Sequence, residues 1–436
     1  MPSLRSLHRF HPKKNLLARN TLWMIAGYTA RIAIQATYFI LVSKFLGPAQ
    51  LGAFVAVVSL VGLLQPFTRL GSGEVLIRHV AISRERFPEY WGAALLITLS
   101  FGSFLALMIV LLAPMFIGSD VPRTVIIAVA LADTLLASLC EISAQCFIAV
   151  EQLRQTARLS ALQSFTRLIA AVVLSLFYHK IGVTLWSVAY LLASLACALY
   201  SVAFACTLLG RPRLDFGVIR ASIKEGSGFA MGQSALSINA NLDKVLLMRL
   251  ATAKDVGIYA AASRLIDVAQ APAQSLLFAS AARVFQQGAR GFSSAADFAK
   301  RLIPFACGYS IAVGVAMMIG APLIPYILGR AYFDSIEAIR WLSPIILFRI
   351  LSTIFLNLIS SLGRQHTRAA VQISMAVVSL GLNLVLIRPF SWRGAAWAGL
   401  ISNGLFALGI VILLVVHFQL RSRRPLVESS AMATST

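Results

Sequence analysis

Apolar segments long enough to cross a lipid bilayer recur along nearly the whole chain, and short polar stretches separate them. A hydrocarbon core about 30 Å thick needs about 20 apolar residues for each helical crossing. Twelve segments meet this requirement, at residues 20–46, 49–69, 91–112, 123–149, 156–178, 183–209, 227–250, 256–284, 299–320, 337–361, 368–388 and 394–419. The pattern predicts an all-α polytopic membrane protein with about twelve transmembrane helices and no sizeable soluble domain.

Basic residues lie mainly on one side of the predicted spans, which predicts an orientation. Most of the 38 lysines and arginines fall in alternate connecting segments, and an excess of Lys and Arg marks cytoplasmic loops. Both termini are therefore predicted to be cytoplasmic. The chain divides into a basic cytoplasmic N-terminus (1–19), a six-helix bundle (20–209), a cytoplasmic linker (210–226), a second six-helix bundle (227–419) and a cytoplasmic tail (420–436) that we expect to be disordered.

Two short sequence echoes suggest that the chain contains an internal repeat. The segment around Gly52 resembles the segment around Gly257, and the segment around Trp186 resembles that around Trp397. Many transporters consist of duplicated helix bundles, with the substrate site at the interface between the repeats. The echoes therefore predict two six-helix halves around a central cavity.

Composition narrows the class of function. Hydrophobic residues make up 58% of the 436 residues, charged residues 12%, and the mean hydropathy is +0.81. The net charge of +22 does not indicate a nucleic-acid partner, because the basic residues are dispersed between apolar spans. The five cysteines lie within spans without metal-like spacing, and the six histidines are scattered. Neither a metal, nor a cofactor, nor a catalytic residue is predicted.

Several motifs, in a fixed order over about residues 20–420, resemble those of bacterial polysaccharide flippases. These proteins form the polysaccharide-transport branch of the multidrug/oligosaccharidyl-lipid/polysaccharide (MOP) exporter superfamily. The motifs are Phe45 to Phe54, Arg69-Leu70-Gly71, Asn241 to Lys244, Gly257 to Leu265, Ala271-Pro272, Leu328-Gly329-Arg330, Gly363-Arg364 and Trp392 to Ala398.

The resemblance implies a MATE-like fold and a flippase with a cationic central cavity. Its substrate would be an undecaprenyl-diphosphate-linked oligosaccharide, moved by alternating access to the periplasmic leaflet of a bacterial inner membrane. The two additional helices usual in lipid II flippases are absent, which favours lipopolysaccharide O-antigen or exopolysaccharide biosynthesis. A polysaccharide polymerase and chain-length machinery are implied partners. Whether Na⁺ or H⁺ is the coupling ion stays open.

Two alternatives compete with a flippase. One is a cation-coupled multidrug exporter of the same fold, which would place an acidic residue in the cavity. The other is a membrane glycan polymerase or ligase, an enzyme that generally carries its catalytic residues on a large outer loop. The longest predicted outer segment, about 321–336, is short and has Asp334 as its one acidic residue. An enzyme is therefore disfavoured.

Charges within apolar spans are the candidate functional residues, because a charge in the bilayer faces a cavity or a partner. Arg31 and Gln35 share a face of the first span, and no acidic residue of that helix can pair with Arg31. A guanidinium without a carboxylate partner suits a diphosphate. The predicted substrate-binding residues are Arg31, Gln35, Lys244, Arg264 and Arg349, the last with no obvious partner in the sequence.

Two ion pairs are predicted as alternatives to a substrate role. Asp243 and Arg264 lie at the same depth of the hairpin formed by spans seven and eight. Glu141 and Arg167 lie at similar depths of spans four and five. Removing one partner of such a pair would destabilise the bundle. The role of Arg264, as a substrate ligand or as the partner of Asp243, stays open at this level.

Overall fold

The computed structural model describes the backbone of residues 14–118, 120–178, 181–289, 292–361 and 365–433, which form helices and short connections without a strand. The helices are α1 (Lys14–Thr68), α2 (Ser72–Ile82), α3 (Phe87–Ile117), α4 (Arg123–Ala130), α5 (Ala137–Ala149), α6 (Leu153–Phe177), α7 (Val183–Leu209), α8 (Phe216–Leu250), α9 (Ala253–Ala289), α10 (Phe292–Gly320), α11 (Ile324–Leu328), α12 (Ser335–Leu342), α13 (Ile345–Ser361) and α14 (Gln365–Ala433). A π-helical turn, Leu131–Leu136, joins α4 to α5.

Within the described residues, eight helical segments are long and apolar enough to cross a membrane. Two of them contain a break, at Gly47 in α1 (φ 67°) and at Ser391 in α14 (φ 51°). These breaks separate the first predicted span from the second and the eleventh from the twelfth. The more polar helices α8 and α9 carry predicted spans seven and eight. The predicted fold class is confirmed: the chain is an all-helical, multi-pass membrane protein.

Helix boundaries differ from the predicted organisation in four places. The short helix α2 follows the second span and was not predicted. Pro344, which has no N–H to continue a helix, follows the end of α12, so the tenth span consists of α12 and α13. The side chain of Asp215 accepts the N–H groups of Gly217 and Val218, so α8 begins within the predicted linker. Helix α14 continues to Ala433, in contrast to the disordered tail expected.

Helix α1 lies at the centre of the molecule, where it packs against α6 of the first half and against α8 and α9 of the second. The largest apolar core includes residues from both halves, whereas a second core lies within the first half and includes Val218 and Ile219 at the start of α8. Helix α8 therefore starts against the first half and continues into the second.

The two repeated hairpins meet at one end of the bundle, which we term the hairpin end. It contains the Gly47 break and the turn at residues 251–252 between α8 and α9. A Cβ on Gly52 would overlap the carbonyl oxygen of Ala253, and a Cβ on Gly257 would overlap that of Pro48. The glycines at equivalent positions of the predicted repeat thus permit a reciprocal backbone contact between the halves.

Candidate functional site

A central cavity of about 410 Å³ lies between the two halves. Its lining comes from α1, the π-helical turn and helices α5 to α9. Six residues singled out in the sequence line it: Arg31, Gln35, Glu141, Arg167, Lys244 and Arg264. Asp243 and Arg349 are not lining residues, although each contacts one. Most of the predicted candidates therefore surround one space.

Asp133 is the centre of a polar cluster in the first half. Its Oδ1 accepts hydrogen bonds from Arg167 Nη2 (2.8 Å) and Tyr190 Oη (2.7 Å). The Arg167 guanidinium lies 4.1 Å from the centre of the Tyr190 ring, a cation–π contact, and also donates to Ser194 Oγ (3.4 Å). Asp133 lies in the π-helical turn, a distortion that is frequent at functional sites.

The predicted pairing of Glu141 with Arg167 is wrong. Glu141 Oε2 instead contacts Arg69 Nη2 at 3.1 Å, near the end of α1, and Arg69 also donates to Gln145 Oε1 (3.2 Å). Asp133 and Glu141 are eight residues apart, about 12 Å along a helix, so Arg167 can reach only one of them.

The predicted pairing of Asp243 with Arg264 is also wrong. Asp243 Oδ1 contacts Lys244 Nζ (3.0 Å), and Asp243 Oδ2 accepts a hydrogen bond from Tyr259 Oη (2.7 Å). Lys244 Nζ also donates to the carbonyl of Ala240 (2.9 Å). Tyr259 precedes Arg264 by more than one helical turn, so the carboxylate binds closer to the hairpin end than Arg264 lies.

Arg349, which had no evident partner in the sequence, forms an ion pair with Asp267. Arg349 Nη1 lies 3.0 Å from Asp267 Oδ1, and both side chains are partly exposed. Asp267 is on α9 and lines the central cavity, so Arg349 reaches the cavity margin through its carboxylate. The pair compensates the charge that the sequence had left unassigned.

Arg31 and Arg264 are the two cavity cations that no carboxylate neutralises among the described side chains. The described side chains include every acidic residue of the chain except Glu428. Arg264 Nη2 donates to Gln35 Oε1 at 3.4 Å, and Gln35 lies one helical turn from Arg31 on α1. Four neutral ion pairs therefore surround a site with two uncompensated positive charges, one from each half.

Sequence reasoning missed Asp133, Tyr190, Arg69 and Asp267 as members of these pairs. Each was visible as a polar residue of an apolar helix. Its partner was not visible, because the partner depends on how each helix is rotated about its axis. The π-helical turn adds to that uncertainty, since it shifts the register of Asp133 relative to α5.

A comparison with protein families gives the identity. Residues 17–284, more than half of the chain, match the family described as "Polysaccharide biosynthesis protein". The chain belongs to this family. No curated protein matches the chain.

Solved transporter structures share the fold of this polysaccharide biosynthesis family member. An inward-facing multidrug resistance MATE family transporter of the MOP superfamily has 14% sequence identity and a TM-score of 0.74, over 91% of this chain and 99% of that chain. An outward-facing MATE family transporter has 15% identity and a TM-score of 0.63, over 92% and 96%. The expected MATE-like fold is thereby confirmed.

A third structure of this fold comes from Pyrococcus furiosus. That protein is described as a MOP superfamily transporter. The reverse polarity of its binding pocket is said to suggest a different function. It has 14% identity to this polysaccharide biosynthesis family member and a TM-score of 0.63, over 92% of this chain and 96% of that chain. At such identities the similarity establishes the fold alone.

Proposed function

We propose that this protein is a flippase that moves an undecaprenyl-diphosphate-linked oligosaccharide across the inner membrane of a bacterium. The observation that carries the proposal is the pair of uncompensated arginines in the central cavity. Arg31 comes from the first half and Arg264 from the second, and Gln35, one helical turn from Arg31, contacts Arg264.

A diphosphate diester is a dianion, which matches the two positive charges that the cavity leaves without partners. Arginine binds phosphate oxygens through parallel N–H donors, and these hydrogen bonds are strong where little water is present. An unpaired charge within a membrane is costly and marks a ligand pathway in most proteins. Arg31 and Arg264 therefore bind the diphosphate, and the ligand supplies the missing negative charge.

Uncharged polar side chains elsewhere in the lining suit a glycan. Gln35, Ser160, Gln163, Asn241 and Ser263 face the cavity and offer both donors and acceptors. The polyprenyl chain needs no polar partner and stays in the bilayer between helices. The two halves then rock about the bound substrate and expose it on the periplasmic side, where a polysaccharide polymerase and chain-length machinery use it for O-antigen or exopolysaccharide.

A multidrug exporter is the competing function, since solved neighbours of this fold are described as such. A cationic drug requires a free carboxylate in the cavity. Here Asp133, Glu141 and Asp267 each contact an arginine, and the remaining charge is positive. Like charges repel at short distance in a membrane interior, so this arrangement favours an anionic substrate.

Lipid extraction from a deletion strain tests the flippase. We expect complete lipid-linked repeat units to accumulate, shielded from reagents added outside. Complementation with wild type or Arg340→Ala, an exposed arginine of α12 that does not line the cavity, clears them. Arg31→Ala does not, and Arg31→Lys, which keeps the charge without the planar fork, clears part.

Three other outcomes would contradict the proposed function or the proposed site. Units that accumulate on the outer face indicate a polymerase or ligase. An absence of accumulation in a strain without a second flippase indicates a drug exporter. Full activity of a well-expressed Arg31→Ala variant contradicts the assignment of the diphosphate to the cavity.

A further inference from the structure

A second, smaller cavity of about 160 Å³ adjoins the central one. Gln65 and Glu141 line both cavities, so the two spaces share a wall. The other lining residues of the small cavity include Arg69, Glu74, Phe229 and Gln233. The Gly47 break divides α1 into a first and a second arm. The small cavity lies between the second arm of α1, the helices α2 and α5 of the first half, and α8.

The small cavity begins at the depth of the proposed diphosphate site. Arg31 precedes the Gly47 break by 16 residues on the first arm of α1, and Gln65 follows the break by 18 residues on the second arm. At 1.5 Å per residue both lie about 25 Å from the break. A group attached directly to a diphosphate at Arg31 can therefore reach the small cavity without a long spacer.

Hydrogen-bonding groups without partners face this space. Among the described side chains, Gln65, Gln233 and Ser237 make no side-chain hydrogen bond. Glu74 and Glu141 each use one carboxylate oxygen, towards Gln145 and Arg69 respectively, and keep the other free. These groups provide both donors and acceptors over a short distance.

The remaining features favour a sugar over an ion. The Phe229 side chain, 42% exposed, adds a flat apolar surface to the lining. Vicinal hydroxyls bind to amides and carboxylates, and the C–H face of a sugar ring packs on an aromatic ring. Arg69 neutralises one of the two glutamates, so the charged lining sums to one negative charge and disfavours a second phosphate or an acidic sugar.

We infer that the small cavity is a subsite for the first sugar of the lipid-linked glycan. It binds a neutral hexose or N-acetylhexosamine ring while the diphosphate lies between Arg31 and Arg264. This inference rests on the proposed function and deepens it, because it separates recognition of the diphosphate from recognition of the sugar. Gln65, at the shared wall, would contact the sugar next to the diphosphate.

Binding measurements on purified protein in nanodiscs test the subsite with two lipids. One is the lipid-linked oligosaccharide that accumulates in the deletion strain, and the other is the methyl ester of undecaprenyl diphosphate, which has no sugar but is the same dianionic diester. We expect wild type to bind the oligosaccharide lipid about tenfold more tightly, since only that lipid can form hydrogen bonds between a sugar and the small cavity. Gln65→Leu/Gln233→Leu should lose most of this difference and keep its affinity for the methyl ester.

Controls separate the two hypotheses. Gln274→Leu removes an amide from α9 outside both cavities and should behave as wild type. Gln233→Leu alone, at an exposed position of α8, serves if the double variant folds poorly. Equal affinity of wild type for both lipids, or a variant that retains the tenfold difference, overturns the subsite and leaves the flippase intact. Binding of neither lipid by wild type overturns the flippase itself.

Discussion

Gln35 contacts one of the two uncompensated arginines and lies one helical turn from the other, so a charge introduced at this position changes the net charge of the site. Replacing Gln35 by Glu adds a carboxylate next to Arg264. We expect the melting temperature of the purified protein to rise, because the new ion pair compensates a partly buried charge. Transport should fall at least about tenfold, since one charge-assisted hydrogen bond to phosphate contributes about 1.5–3 kcal/mol.

The opposite signs of these effects make Gln35→Glu informative. A loss of transport together with a gain in stability cannot result from misfolding. Gln35→Leu is the matched control, because it removes the same amide without changing the charge, and it should affect transport less than Gln35→Glu. A Gln35→Glu variant with wild-type transport would contradict the role of the two positive charges.

We predict that Asp133 has a structural role, because it compensates the positive charge of Arg167. Asp133→Asn leaves the guanidinium of Arg167, 17% exposed, without a carboxylate. We expect a loss of up to about 3 kcal/mol in the free energy of unfolding. Asp133→Asn/Arg167→Gln should recover part of that loss, because neither charge remains. Chemical denaturation of the purified variants measures both changes, and additive losses would argue against the pair.

The sequence singled out charges that line the central cavity, but both ion pairs predicted from it are wrong. An arginine in an apolar span predicts a cavity or a partner, and Arg31, Arg167 and Arg264 do line the cavity. The partner of a charged side chain depends on a rotation of about 100° per residue around the helix axis, which hydropathy does not reveal. Depth alone favoured Arg167 with Glu141, whereas the π-helical turn directs Asp133 towards Arg167.

Glycines at equivalent positions of the two hairpins hold the halves together at the hairpin end. Gly52→Ala places a methyl group against the carbonyl oxygen of Ala253, which belongs to a backbone that cannot shift freely. We expect a destabilisation of about 1–3 kcal/mol. Gly232→Ala is the control within α8, where a Cβ meets no atom within 4 Å. It should stabilise by about 0.5–1 kcal/mol, and similar effects of both substitutions would contradict the contact.

Hydropathy predicted the helix boundaries well where a residue that breaks the helix, such as glycine, ends an apolar run. The Gly47-Pro48 break separates the first two spans because only glycine readily adopts φ 67°. Boundaries without such a residue were less accurate. Helix α2 and the start of α8 are short or polar, so neither forms an apolar run, and the contact of α8 with the first half fixes them instead.

The whole molecule combines a cavity between two halves with a contact that closes one end of the bundle. The Gly52–Gly257 contact lies at the hairpin end, predicted to be periplasmic. The proposed alternating access requires the two hairpins to separate, and a side chain too large for the contact should favour the separated state.

Labelling of a cysteine in the cavity tests this requirement. In a variant whose five native cysteines are replaced by serine, Gln35→Cys places a thiol in the lining of the central cavity. With Gly52 intact, we expect a membrane-impermeant thiol reagent on the hairpin side to react slowly. Gly52→Val should raise that rate about tenfold and reduce transport, because a state that cannot close cannot complete the cycle. The same substitution with an unchanged labelling rate would show that the hairpin contact does not control access, and the substrate would then have to leave between other helices.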